Sequence, residues 1–319
     1  TTYTSESMNA GRRDFPVFDL PELNFGDPTT ATNASSSGKS AFAGFVGRLN
    51  YAYDDKYLIE ASFRYDGSYL FHKDHRWGFF PSVSVGWVIS QEDFFQSALP
   101  KIEYFKLRGS IGTLGNDNVT AFLYRKQFAY NASSVAFGST PASQGTLSNS
   151  VAFPFEDLTW ERTRTYDIGF EMSAWNGLLG VEFDYFYKYT FNILQSIGGI
   201  YPPSLGGHYP AYINDGTFDN RGFELVLRHR NRIGKFSYGV TGNLTFARNR
   251  ILSKQQADNT LPWKNVLGSS LGALWGLKSD GLYQTEEELA NAPKPVGVQP
   301  RLGDIKYVDI NGDGAITAD

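Results

Sequence analysis

Residues 48–90 read RLNYAYDDKYLIEASFRYDGSYLFHKDHRWGFFPSVSVGWVIS, and their alternation decides the fold. Leu49, Tyr51 and Tyr53 share one parity; Arg48, Asn50 and Asp54 share the other. After Asp54-Asp55, the residues Tyr57, Ile59, Ala61, Phe63 and Tyr65 alternate with Glu60, Ser62, Arg64 and Asp66. A third run sets Trp77, Phe79, Val83, Val85, Trp87 and Ile89 against Ser82, Ser84 and Ser90. Successive side chains of a strand point to opposite faces, so each run predicts a strand with one apolar and one polar face. The runs reach about ten residues, where strands of globular sheets average about five or six. Strands of about 9–11 tilted residues, apolar on one side with aromatics near their ends, suit a membrane-spanning β-barrel.

Five more runs repeat the pattern. Phe105, Leu107 and Ile111 oppose Lys106, Arg108 and Ser110, and Tyr166, Ile168, Phe170 and Met172 oppose Thr165 and Glu171. Val181, Phe183, Tyr185, Tyr187 and Tyr189 oppose Glu182, Asp184 and Lys188 across the Asn176-Gly177 hairpin signal. Phe223, Leu225 and Leu227 oppose Glu224 and Arg228; Phe236, Tyr238, Val240, Leu244 and Phe246 oppose Ser237, Thr241, Asn243 and Thr245. The connections sort into two classes. Asp54-Asp55, 91–104 (a helical turn opened by Ser90 as N-cap), Asn176-Gly177 and Arg230–Gly234 are short or compact. The intervening ones, at 66–76, 112–157, 190–221 and beyond 248, are long. Short turns on one side and long loops on the other mark bacterial outer-membrane barrels. The expected fold is therefore all-β: a transmembrane, antiparallel, up-and-down barrel, here a partial wall of about eight strands with long extracellular loops. Residues 1–41 are expected as an irregular extracellular loop, 42–249 as strands and their loops, and 250–319 as a further extracellular loop region.

Composition agrees with this. Aromatic residues make up 16% of the chain, more than a soluble core needs and what girdles at two interfaces would use. With no cysteine, disulfides and thiol-ligated metals are excluded. The net charge of −4 and the absence of a basic run point away from nucleic acid. Residues 1–15 show no apolar stretch of a leader.

Candidate functional residues fall into three groups. The polar parity places Arg48, Glu60, Arg64, Lys106, Arg108, Glu182 and Asp184 towards a lumen. Loop aromatics Tyr201, Tyr209, Tyr212, Trp263 and Trp275 are candidates to stack on substrate, an aromatic face covering apolar C–H surface while its edge stays wet. Asp309, Asn311, Asp313-Gly314 and the Ala315 carbonyl match the first half of an EF-hand calcium loop, whose oxygens at positions 1, 3, 5 and 7 converge on one cation. The competing view of that motif is a run of Asx-turns. The histidines His72, His75, His208 and His229 make no metal set, and neither G-x-S-x-G nor an ordered Ser/His/Asp triad occurs. No enzyme is expected; a surface-binding or adhesion β-protein is the alternative to a transporter.

The segments GRLNYAYDDKYLIEASFRYDGSYLF, RWGFFPSVSVGWVISQEDFF, IEYFKLRGSIGTLGNDN, DLTWERTRTYDIGFE, NRGFELVL, GLKSDGLYQTEEEL and GDIKYVDINGDGAI follow one another in order. Together they resemble the SusC/RagA-like TonB-dependent transporters of Bacteroidetes outer membranes, from about Gly47 to the C-terminus. The resemblance implies a barrel of about twenty-two strands around an N-terminal plug, with the plug, the TonB-contacting segment and further strands outside residues 1–319. It also implies import of oligosaccharides or peptides, a SusD-like surface lipoprotein as partner, and coupling to the TonB complex.

Overall fold

The computed structural model describes residues 2–14, 27–126, 128–137, 142–149, 154–197, 201, 202, 204, 212–256 and 264–317. The strands are β1 (Thr2–Gly11), β2 (Thr32–Tyr53), β3 (Tyr57–Ser68), β4 (Trp77–Val88), β5 (Ile102–Asn116), β6 (Phe128–Phe137), β7 (Ala142–Asn149), β8 (Glu161–Ala174), β9 (Leu179–Ser196), β10 (Tyr212–Ile233) and β11 (Phe236–Ser253). Nine of them form one antiparallel sheet in the order β1-β2-β3-β4-β5-β8-β9-β10-β11, a meander interrupted only by the separate β6–β7 hairpin.

The pairing follows the expected parity. Across β2 to β11 a single rung runs Tyr51, Ile59, Val85, Gly109, Ile168, Tyr185, Phe223 and Phe246. The hairpins close where sequence chemistry says they should. Asp54 and Asp55 both take positive φ, as do Asn176 and Gly177, which reverses the chain with the right-handed twist of the flanking strands.

Several expectations need correction. The sheet has nine strands, not eight, because 1–41 is not irregular: β1 pairs residue for residue with Thr32–Ala41 of β2. These residues (TYTSESMNAG against TNASSSGKSA) are polar on both faces and exposed. Ladder hydrogen bonds do not need an apolar face, so the period-two signal is missing where the strand is bathed in water. β9 also runs on to Ser196 and β10 begins at Tyr212, within the stretch expected as the loop 190–221; here Thr190 and Asp219 are buried, and polar residues on both faces hide the period-two signal. Likewise β5 extends to Asn116, and the expected loop 112–157 contains the β6–β7 hairpin. Ser90 does not cap a helix. It is buried in a 3₁₀ turn, and the six-residue α1 (Asp93–Ala98) starts two residues later than expected, with Glu92 at its N-cap.

Beyond β11 the chain is not wholly irregular. β12 (Ser279–Leu282) pairs with β14 (Ile305–Tyr307), and β13 (Lys294–Pro295) pairs with β15 (Ala315–Ile316). Between them lies α2 (Glu286–Asn291), capped by the Thr285 hydroxyl, which accepts from the Glu288 amide.

Candidate functional site

The sheet has two chemically opposed faces. On one, Phe45, Leu49, Ile59, Val85, Ile168 and Leu244 are each roughly half exposed or more. Soluble proteins rarely expose contiguous apolar patches beyond a few hundred Å², so this face calls for a nonaqueous solvent. Aromatic clusters mark both of its ends. Tyr65 stacks on Trp77 with ring centroids 4.9 Å apart, and Tyr57 stacks on Trp87 at 6.2 Å. Trp77 and Trp87 bound β4 ten residues apart, which at about 3.3 Å per residue is roughly 33 Å along the strand. A tilt of about 40° reduces this to roughly 25 Å of height, the thickness of the apolar band on outer-membrane barrels.

The opposite face carries the charge. All seven residues expected on a lumen (Arg48, Glu60, Arg64, Lys106, Arg108, Glu182 and Asp184) share it through the register. Arg108 is the hub: Nε and one terminal nitrogen donate to Asp184 at 2.9 and 2.5 Å, and the other donates to Glu171. Arg228 pairs with Glu182, Arg48 with Glu60 at 2.5 Å, and Arg64 with Asp66. Lys106, Arg108, Glu60, Asn50, Ser84 and Asp167 line a shallow groove of about 480 Å³ on this face. Each pair is partly exposed, so one alone contributes at most about 1 kcal/mol; the bidentate geometry at Arg108 makes it the strongest.

At the long-loop end this face is apolar instead. Phe71, Phe80, Leu123, Leu158 and Trp160 form a buried cluster, with Val119, Phe155, Leu194 and Tyr212 packed against it. The Trp160 indole donates to the Arg76 carbonyl at 3.0 Å. Phe80 lies on the polar parity, and its ring fills the space where side chains at Gly78 and Gly115 would stand. The alternation did not reveal this cluster, although adjacent Phe79-Phe80 put an aromatic on each face and was a usable sign. The loops before β4 and before β8 are thereby pinned to the wall.

The aromatic candidates do not form one group in the described residues. Tyr212 opens β10 against the buried cluster, Tyr201 is half-buried in the preceding connection, and Trp275 is 64% exposed after β11. Tyr209 and Trp263 lie outside the described residues. In the 309–315 turn, the two Asp309 carboxylate oxygens accept from the amides of Gly312 and Gly314 at 2.7 and 2.8 Å. Asn311 accepts from the Asp313 amide, and Asp313 from that of Ala315. The donor set is thus satisfied by its own backbone. Among the described residues no three His, Asp or Glu side chains gather to hold a metal.

The short-turn end is tied by Glu92. Its carboxylate accepts from the Tyr57 hydroxyl at 2.8 Å and the Trp87 indole at 3.1 Å, with Lys56 at 3.5 Å. The hydrogen bonds from Tyr57 and Trp87, aided by Lys56, hold its carboxyl below the usual glutamate range.

A wide antiparallel meander with a lipid-thick apolar band on one face and an ion-pair network on the other is the wall of an outer-membrane β-barrel. Residues 3–313 match the family described as TonB dependent receptor-like, beta-barrel, and the chain belongs to that family. It is 33% identical to TonB-dependent receptor P26 of Formosa agariphila over 93% of its own length and 30% of that protein. It is 30% identical to TonB-dependent receptor SusC of Bacteroides thetaiotaomicron over 70% of this chain and 22% of SusC. The chain therefore spans under a third of these relatives. Its fold superposes on the RagAB peptide importer in the open-open state with a TM-score of 0.74, at 20% identity, over 97% of this chain and 34% of that one. The protein resides in the outer membrane, as the family does.

Proposed function

We propose that this wall belongs to a TonB-dependent transporter that imports oligosaccharides or peptides, together with a SusD-like lipoprotein docked on its long-loop side. The observation that carries the reading is the sorting of the connections. The turns at 54–56, 175–178 and 234–235 are tight, while the opposite ends carry the β6–β7 hairpin, the 197–211 connection and the folded stretch 264–317. The 128–149 and 197–211 stretches carry no Asp, Glu, Lys or Arg and are rich in Ser, Gly, Tyr and Pro, unlike the charged composition of a disordered tail. In this reading the charged face lines the lumen and meets the plug, and Tyr201, Tyr212 and Trp275 lie on the side that receives substrate. Calcium in the 309–315 turn is an accessory of the same reading. The amides already on Asp309 argue for weak binding, and calorimetric titration of the full-length protein with calcium chloride would detect it.

The test replaces 197–211 of the full-length transporter with a two-residue Asn-Gly turn, which can close the β9–β10 ladder at the Tyr212–Ser196 pair. The expected result is loss of lipoprotein co-purification or of substrate uptake, with the barrel still folded. Survival of both would refute the assignment of this loop.

A further inference from the structure

The short helix α1 carries its polar and apolar residues on opposite sides. Its sequence, Asp93-Phe94-Phe95-Gln96-Ser97-Ala98, is followed by Leu99 at the C-cap. At about 100° per residue, Phe94, Phe95, Ala98 and Leu99 fall within an arc of roughly 140°, and Asp93, Gln96 and Ser97 fall on the other side. The polar side is satisfied locally. Gln96 donates to the Ser90 carbonyl at 3.1 Å and Ser97 to the Asp93 carbonyl at 2.8 Å. The apolar side is not. Phe94 is 62% exposed and Leu99 47% exposed.

The direction in which this stripe faces is fixed by Phe95. Its ring stacks on Phe105 at 5.6 Å with planes 18° apart. Phe105 shares the apolar face of the wall, where it begins the continuous row Phe105, Phe170, Phe183, Phe223 and Phe246. The stripe is therefore continuous with the lipid-covered face and lies at its short-turn border. The Glu92 bonds to Tyr57 and Trp87 hold the start of the helix against that border. An exposed Phe beside a Tyr/Trp cluster at the edge of an apolar band fits the boundary between headgroups and acyl chains.

We infer that α1 is a membrane foot: Phe94 and Leu99 insert into the phospholipid leaflet on the short-turn side and hold this edge of the wall at a set depth. The inference rests on the apolar face being lipid-covered, and its test separates the two. In a cysteine-free background of the full-length protein, reconstituted in phosphatidylethanolamine–phosphatidylglycerol vesicles, single nitroxide labels are placed by Phe94→Cys, Ser97→Cys and Phe63→Cys. Relaxation by oxygen, which concentrates in the bilayer, is compared with relaxation by a water-soluble nickel chelate. The foot predicts an oxygen-to-nickel ratio at position 94 several-fold above that at 97 and approaching that at 63. Equal ratios at 94 and 97, with 63 still lipid-exposed, would overturn the foot alone. A low ratio at 63 would overturn the face assignment beneath it, and the foot with it.

Discussion

Phe183 of β9 and Phe223 of β10 stack with centroids 6.2 Å apart and planes 23° apart, although the ladder pairs Phe183 with Leu225. Phe183 also stacks on its direct partner Phe170, and Phe223 on its direct partner Phe246, at 5.8 and 6.0 Å. The diagonal contact therefore joins two cross-strand pairs into one row on the apolar face. Cross-strand and diagonal aromatic pairs each add about 0.2–1 kcal/mol to a sheet. Their position shows that strand pairing and lipid contact use the same side chains.

A charge on that face should be far costlier than one opposite it. Phe63→Lys, near mid-height of β3, should destabilise the folded protein in vesicles by about 2–4 kcal/mol. Ser62→Lys, one residue away on the charged face, should cost little. Denaturant titrations of the two variants in the same lipid check the difference.

Arg108 binds two carboxylates from neighbouring strands, Glu171 and Asp184, and all three side chains are partly exposed. Arg108→Met should destabilise by about 1–2 kcal/mol, since the site keeps water and part of the lost bonding is recovered from it. Adding Glu171→Gln and Asp184→Asn should restore part of the loss, because the uncompensated acids are then gone. A thermodynamic cycle over the three positions measures this.

Phe80 fills the inward face at the long-loop end. Phe80→Ala should cost about 3–5 kcal/mol, as for other buried aromatics. It should also raise amide exchange in 117–126 and 154–160 before it affects β3. Uniform loss of protection throughout the wall would contradict the pinning role.

Glu92 gives the short-turn end an acid sensitivity of definite sign. Its folded-state affinity for a proton is depressed by the hydrogen bonds from Tyr57 and Trp87. Its contribution is therefore complete at neutral pH and is lost as pH falls through the acid side of the ordinary glutamate range. Trp87 emission should shift over that interval in the parent protein and not in Glu92→Gln.

Legibility from sequence tracked the solvent. Inside the apolar band every residue of β3 and β4 must choose between lipid and the charged side, so Tyr57 through Tyr65 declare their faces one by one. Above the band both faces are wet. Thr2–Gly11 and Thr32–Ala41 pair through the backbone ladder, with a Ser7–Ser36 hydroxyl contact at 2.7 Å, and the alternation of their side chains does not announce a strand. The charged residues were legible for the same reason as the band, since Arg108 and Asp184 sit on fixed parity. Their partners were not, because pairing across β5, β8 and β9 depends on register. Phe71, Leu158 and Trp160 come together only through loop closure, which local pattern does not encode.

The face of β3 that touches lipid determines the orientation of the whole wall. Single cysteines at Ala61, Ser62, Phe63 and Arg64 of the full-length protein, probed in vesicles with a lipid-partitioning maleimide and with a membrane-impermeant one, decide it. Positions 61 and 63 should react only with the lipid-phase reagent, and 62 and 64 only with the aqueous one. The reverse pattern would place the register one residue out and turn the charged face to the membrane, which contradicts the assignment of both faces.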